Sequence, residues 1–203
     1  SHEFPQTSLD CYDDTCKTRF KATALGGNQL SHSQINLLEL STEVKVPPTH
    51  YVVLDRTLFY PEGGGQLGDQ GQIGRSRVVD TRIEGGVIFH LTDSEVPLGK
   101  VSAEVSWERR SQLMDHHTAV HIVGGSSRAL LGPHIWQAGS SKGFRYARID
   151  LTHHSRLSRD ELDRIEDHAN SIIEANIPVE KQVMLRAEAD EKFGFEIYQG
   201  GPP

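Results

Sequence analysis

The feature that most constrains this chain is a change of hydrophobic period close to residue 107. Before it, apolar residues alternate with polar ones in short runs separated by glycines; after it, they recur at helical spacing. Phe20, Ala22 and Ala24 alternate with Lys21 and Thr23, and Gly26, Gly27 and Asn28 then read as a turn. Residues 51–54 form a second apolar run. Residues 78–83 and 87–91, joined by Glu84-Gly85-Gly86, predict a hairpin, and Val101, Ala103, Val105 and Trp107 alternate cleanly with Ser102, Glu104, Ser106 and Glu108. Short strands with glycine turns suit a small β-barrel.

From Arg109 the spacing predicts a helix running to Leu131, with Leu113, His117, Val120, His121, Gly124 and Arg128 on one side and Gly132-Pro133 as the stop. Gly124 and Gly125 each cost a helix interior about 1 kcal/mol relative to alanine, so another element is expected to pack closely there. Residues 135–138 and 146–151 read as strands paired across a turn at 139–143. Ser158 and Glu161 form a capping-box signal for a second long helix with the apolar stripe Leu162, Ile165, Ala169, Ile172 and Ile173, supported by an Asp160–Arg164 pair. Pro178 is expected to open a strand, and residues 187–192 a short helix. The expectation is an α+β protein: a small β-barrel with a glycine-rich motif over residues 1–106, followed by an antiparallel sheet packed with two long helices over 107–203.

A chain of 203 residues can bury a core without staples. Its 21 basic and 28 acidic residues, a formal charge of −7, argue against a protein that coats nucleic acid through its overall field, while leaving room for a local basic patch. No run approaches the ~18 to 20 apolar residues of a membrane span, and no basic-then-apolar leader is visible, so a cytoplasmic protein with no membrane partner is expected. Cys11 and Cys16 are the only cysteines; they form no disulfide framework and do not have zinc-knuckle spacing.

Two segments carry chemical signals. In His116-His117-Thr118-Ala119-Val120-His121, His117 and His121 lie four apart on one helix face, where both imidazoles can converge on a metal, while His116 points about 100° away. A zinc protease would need glutamate where Thr118 stands. The same spacing equally suits two packed or solvated histidines. The other segment, residues 57–66, contains Gly63-Gly64-Gly65, which opens backbone conformations closed to other residues and permits close approach of a ligand or chain segment. It lacks the Lys-Ser/Thr ending of a phosphate-binding loop and is not a nucleotidase signal.

Together these segments resemble the editing domain of alanyl-tRNA synthetases and their free-standing trans-editing relatives. The family's Thr-x-Phe-Tyr-Pro-x-Gly-Gly-Gly-Gln run appears as Thr57 to Gln66, followed by Gly68, Asp69 and Gly71. Its paired arginines, methionine and His-Thr-Ala-x-His helix appear as Arg109, Arg110, Met114 and His117 to His121. Its Gln-x-Gly-Ser turn and Arg-x-Asp strand appear as Gln137, Gly139, Ser140, Arg148 and Asp150. The resemblance runs from about residue 50 to the end of the sequence and is closest to the archaeal type, on the wording of residues 134–143 and 198–201.

The resemblance implies hydrolysis of the ester that joins serine or glycine to the 3′ end of tRNA(Ala), within a synthetase whose remainder binds ATP. Thr57, Gln66 and Asp150 are then the candidate catalytic residues, with Thr57 and Gln66 reading the serine hydroxyl and Asp150 orienting a ligand histidine or water. Gly63, Gly64, Gly65, Ser140 and Arg148 are the candidate substrate contacts, and His117 and His121 the zinc ligands. Arg109, Arg110, Lys142, Arg145 and Arg148 are candidate phosphate contacts. The family completes its zinc site with a downstream cysteine and histidine that this sequence lacks, so the chain is expected to be a piece of a longer synthetase that holds zinc weakly. The implied partners are the tRNA(Ala) acceptor end and the rest of that synthetase. The geometry of an editing sieve further requires His117 and His121 to face a cleft lined by residues 63–66. The alternatives are a noncatalytic acceptor-binding module with a bracing metal, a free-standing trans-editing hydrolase, or a metal-dependent hydrolase of small esters or amides.

Overall fold

The structure, a computed structural model, describes residues 4–194; the wording of residues 198–201 lies outside the described residues. Along the chain run β1 (Ser8–Leu9), a single 3₁₀ turn (Asp10–Tyr12), β2 (Arg19–Gln29), α1 (His32–Leu37), β3 (His50–Leu54), β4 (Arg56–Thr57), β5 (Gly71–Ile73), β6 (Ser76–Glu84), β7 (Val87–Thr92) and β8 (Gly99–Val105). Then follow α2 (Trp107–Leu131), β9 (Gln137–Lys142), β10 (Ala147–Leu151), α3 (Arg159–Glu174) and α4 (Arg186–Phe193). The fold is α+β, with a closed barrel and a separate two-stranded sheet. The chain forms two compact units, Ser1–Met114 with Lys142–Arg145, and Asp115–Ser141 with Tyr146–Pro203. Among the described residues no helix is long and apolar enough to cross a membrane.

In the first unit six strands close in the order β2-β3-β7-β6-β5-β8, every pair antiparallel. Alternation explains the filling: Ala22, Ala24, Val52, Leu54, Ile73, Val78, Ala103 and Val105 point inward and join Leu58, Phe59 and Val96 in one core. The expected hairpin is β6–β7, its turn at Gly85 (φ 56°) and Gly86 (φ 82°) in the left-handed region favoured by two-residue hairpin loops.

Two expectations for this unit need correction. Gly26, Gly27 and Asn28 are not a turn but the continuation of β2, reached through a register shift between Ala24 and Gly26. Glycine is needed at Gly27 because a Cβ would stand 2.3 Å from the Tyr51 carbonyl oxygen of β3. Trp107 is not the end of β8 but the first residue of α2. The short helix α1, capped reciprocally by Ser31 and Gln34, had no strong periodic signal.

In the second unit α2 packs on the β9–β10 hairpin at Gly124, where a Cβ would lie 3.1 Å from Ile149 Cδ1; Gly125 meets nothing within 4 Å, contrary to the expectation of close packing at both. The strand β9 extends through Gly139 to Lys142, so the connection falls at residues 143–146 rather than 139–143. The helix α3 starts at the expected capping box, Glu161 N–H donating to Ser158 Oγ and Ser158 N–H to Glu161 Oε2. It buries Ile165 and Ala169, and His168 Nδ1 lies 3.0 Å from Ser126 Oγ of α2. Leu162 and Ile173 of the expected stripe are exposed. The i,i+4 ion pair on this helix is Arg159–Asp163 rather than Asp160–Arg164. Residues 178–185 form no strand; Val179 and Val183 are almost fully exposed there.

Candidate functional site

The glycine motif forms a tight reversal. Gly63 N–H donates to the Gln66 carbonyl at 3.0 Å and Gln66 N–H to the Gly63 carbonyl at 2.9 Å. The two residues between them, Gly64 (φ 57°) and Gly65 (φ 77°), are left-handed and exposed, so here glycine is required by backbone conformation. Lys142 clamps the reversal. Its N–H donates to the Gly65 carbonyl at 2.7 Å, its carbonyl accepts from Leu67 N–H at 3.1 Å, and its ammonium donates to the Gly64 carbonyl at 2.8 Å. Lys142 is 1% exposed, and that burial holds its pKa below the usual lysine value.

Thr57, at the end of β4, is fully buried. Its hydroxyl lies 2.8 Å from His90 Nε2 and accepts from Phe59 N–H at 3.1 Å. His90 is fully buried, and burial pushes its pKa down to about 4, so it is neutral at pH 7. Its Nδ1, 3.1 Å from the Val52 carbonyl, must then donate, which leaves Nε2 to accept the Thr57 proton. The Thr57 donor is thereby used inside the barrel. Gln66 is 4% exposed and held by the backbone pairs described above.

The paired arginines at the start of α2 are internal ties, which corrects their reading as phosphate contacts. Arg110 is 2% exposed. Its Nε donates to Asp69 Oδ2 at 2.9 Å, Nη2 pairs with the same oxygen and with the Leu58 carbonyl, and Nη1 reaches the Thr15 carbonyl. Asp69 Oδ2 also accepts from Tyr60 N–H at 2.7 Å, locking the Tyr-Pro segment. Arg109, 7% exposed, donates to the Gly68 carbonyl and to Glu43, whose other oxygen accepts from Phe144 N–H. Gly68 and Gly71 are glycines for room: a Cβ would lie 2.4 Å from the Thr81 carbonyl oxygen and 2.1 Å from the Glu104 carbonyl oxygen, respectively. Lys142 is equally withdrawn from phosphate, whereas Arg145 and Arg148 are exposed.

In the second unit the chemistry-bearing side chains are near the surface. His117 is half-buried and His121 exposed on consecutive turns of α2. Their rings stack with centroids 5.1 Å apart and planes 12° from parallel. Two imidazoles are half of the donor set of a tetrahedral zinc site, and their type and spacing fit that half. Among the described residues, the group of three or more His, Cys, Asp or Glu side chains close enough to share an ion lies elsewhere, at His134, His153 and His154. On the hairpin, Gln137 Nε2 donates to Ser140 Oγ at 3.2 Å, and Asp150 lies over Gly139, where a Cβ would crowd its Oδ2 to 3.0 Å. Arg148 pairs with Asp150 at 3.2 Å, both side chains about half or more exposed.

Sequence reasoning missed the roles of His90, Glu43 and Lys142 because each acts through a partner distant in the chain. The His153-His154 doublet was a visible signal, but nothing local indicated that His134 would join it.

Residues 8–109 match the family described as tRNA synthetases class II (A). The chain is 42% identical over 205 residues to the alanine–tRNA ligase of Methanopyrus kandleri, a match covering 98% of this chain and 21% of that protein. It is 47% identical over 160 residues to the alanine–tRNA ligase of Metallosphaera sedula, covering 75% of this chain and 18% of the relative. With that of Natronomonas pharaonis it shares 39% identity over 206 residues, 99% of this chain and 21% of the relative. The chain spans about a fifth of the length of these relatives. The similarity takes in the first fifty residues as well, which carry none of the motifs that point to the family.

Proposed function

The chain belongs to the class II (A) tRNA synthetase family, similar to a segment of the alanine–tRNA ligases, and on that premise we propose that it edits mischarged tRNA(Ala) by hydrolysis. Water adds to the ester carbonyl of Ser-tRNA(Ala) or Gly-tRNA(Ala); the bond to the ribose oxygen breaks, freeing the amino acid and restoring the 3′-terminal hydroxyl. A synthetic pocket shaped for alanine's methyl group discriminates weakly against serine, which adds one hydroxyl, and against glycine, which fits with space to spare. A second, hydrolytic sieve supplies the missing selectivity.

The observation that carries this reading is the stacked His117–His121 pair on one face of α2 in a chain so similar to these ligases. Zinc held by these imidazoles, with ligands from outside the described residues, would supply Lewis-acid polarisation of the ester carbonyl or anchor the terminal adenosine. In this reading the exposed Gly64–Gly65 backbone permits close approach of the aminoacyl group. Thr57 is a positioning residue that fixes the motif through His90 and Phe59, because its buried hydroxyl has no surface to offer a substrate. Gln66 belongs to the same reversal and sets its register. Ser140 presents a hydroxyl, Arg148 meets acceptor phosphates, and Asp150 orients the attacking water. The proposed partners are the acceptor end of tRNA(Ala) and the remainder of a synthetase.

The test is deacylation of Ser-, Gly- and Ala-tRNA(Ala), with and without added zinc. Serine and glycine should be released and alanine retained, and His117→Ala with His121→Ala should slow release at least about a hundredfold if zinc contributes several kcal/mol of charge stabilisation. Tight binding of the acceptor end with no release of any amino acid would overturn the reading in favour of a noncatalytic binding module.

A further inference from the structure

His134, His153 and His154 stand outside every role assigned above. We propose that these three imidazoles form a separate binding site for a divalent transition-metal ion of the zinc class, one that ties the segment after α2 to the segment after β10. Each offers a ring nitrogen, and these nitrogens all lie within 4.8 Å of one another. His134 Nε2 and His153 Nδ1 are only 3.0 Å apart. The rings of His153 and His154 are 4.5 Å apart between centroids, and those of His134 and His153 are 5.2 Å apart and close to parallel.

Zn–N bonds of about 2.0–2.1 Å with tetrahedral angles place two ligand nitrogens roughly 3.3 Å from each other. The first pair is already near that separation, and the third needs a shift of about 1–1.5 Å, within reach of a χ rotation of the exposed His154. Three neutral imidazoles with a fourth position left to water suit zinc, cobalt, nickel or copper rather than magnesium or calcium, which prefer oxygen donors.

The backbone beneath the rings is fixed before any ion arrives. Arg128 Nη1 donates to the Pro133 carbonyl at 2.7 Å and the Ile135 carbonyl at 2.9 Å, and its guanidinium lies 4.0 Å over the Trp136 ring. The Thr152 hydroxyl donates to the His134 carbonyl at 2.7 Å and accepts from Trp136 N–H at 2.8 Å, while Thr152 N–H donates to the Trp136 carbonyl. His134 and the His153-His154 doublet are therefore carried by one hydrogen-bonded crossing, and only side-chain rotation remains to be restricted on binding. Ser155 Oγ, 3.5 Å from His153 Nε2, stands where a group behind a ligand imidazole would orient the ring.

The experiment is metal titration of the full chain by calorimetry with zinc, and by absorption spectroscopy with Co(II), whose visible bands report its coordination. His117→Ala/His121→Ala removes the other histidine pair and should keep one equivalent of bound metal. In that background His154→Ala should weaken binding by at least about tenfold, and His134→Ala/His153→Ala should abolish it. Circular dichroism establishes that each variant folds. Should the last one not fold, the imidazole ¹⁵N resonances of His134, His153 and His154 in the unsubstituted chain carry the test, since zinc should shift all three. The proposal is overturned if the His117→Ala/His121→Ala variant binds zinc no tighter than about 1 mM, if His154→Ala binds as well as its parent, or if zinc leaves those resonances in place. Because none of these readouts involves tRNA, failure here leaves the editing reading standing, and failure of editing leaves this site standing.

Discussion

The glycine motif and the histidine helix are equally prominent in the sequence, yet the two units use them in opposite ways. In the first unit nearly every motif side chain is turned inward: Thr57 to His90, Asp69 to Arg110, Lys142 to Gly64. What reaches the surface is backbone, at Gly64 and Gly65. In the second unit the backbone is regular, and His121, Arg148 and Asp150 present functional groups to solvent. A motif can thus specify a shape, in which case its residues are costly to change for stability, or present chemistry, in which case they are cheap to change for stability and costly for activity. The substitutions below test that division.

The largest expected effect is at Arg110. Its guanidinium makes bonds to Asp69 and to two carbonyls in a buried setting. Removing one partner of such a pair strands the other charge, so Arg110→Ala should cost about 3–5 kcal/mol in urea denaturation. The exposed pair gives the contrast: Arg148→Ala should cost less than about 1 kcal/mol. If both substitutions cost the same, the distinction between a shape-making and a chemistry-bearing motif fails.

Next comes the pH dependence imposed by His90. Its folded pKa is about 4 against an ordinary value of 6.5, so the unfolded chain takes up a proton that the folded chain refuses. The stability this contributes is full above about pH 6.5, declines as pH falls towards 4, and amounts to roughly 3 kcal/mol at 1.36 kcal/mol per pKa unit. His90→Gln should flatten the stability profile across that window. A profile identical to that of the unsubstituted chain would show that His90 is not held neutral by burial.

Much of this architecture was legible because it follows from local pattern. Period-two alternation located β8 and the start of β2, apolar runs located β3 and, across the Glu84-Gly85-Gly86 turn, the β6–β7 hairpin, and the Ser158–Glu161 capping box located α3. Two of the errors share a cause: Gly26-Gly27 and Gly139 were read as turn residues. Gly27 and Gly139 are strand residues that admit a neighbour's atoms, Tyr51 O in one case and the Asp150 carboxylate in the other, and no local rule distinguishes room for a neighbour from a reversal. The strand expected after Pro178 failed because Val179 and Val183 are exposed, and β-propensity expresses packing against neighbours more than intrinsic backbone preference. At the site, the i,i+4 histidines were legible from helix geometry alone. The inward orientation of Thr57, Arg109 and Arg110 was not, since their partners lie dozens of residues away.

Thr57 sharpens the comparison further. Replacing its hydroxyl by a methyl group of similar size leaves His90 Nε2 buried without its proton donor, so Thr57→Val should cost about 1–3 kcal/mol, and Thr57→Ser, which keeps the donor, considerably less. In deacylation assays, loss of serine release by Thr57→Val should be accompanied by this stability loss, as a positioning role requires. Loss of serine selectivity at unchanged stability would instead make Thr57 a direct reader of the substrate and refute its confinement to the buried bond with His90.

The smallest effect probes the second unit's backbone, where two adjacent helical glycines have different surroundings. Gly125 is exposed and a Cβ there meets nothing within 4 Å, whereas at Gly124 it would come within 3.1 Å of Ile149 Cδ1. Helix propensity alone favours alanine over glycine by about 1 kcal/mol at either position. Gly125→Ala should therefore stabilise the chain by about 0.5–1 kcal/mol, read as a higher urea midpoint at unchanged slope. Gly124→Ala gains the same backbone term but must displace the Ile149 methyl from the contact between α2 and β10, and its net change should fall below that of its neighbour. The two substitutions share the helix term, so their difference isolates the packing at Ile149 from backbone preference. If Gly124→Ala were the more stabilising, that contact would be looser than the structure has it, and the motif helix would not be held against its hairpin at this point.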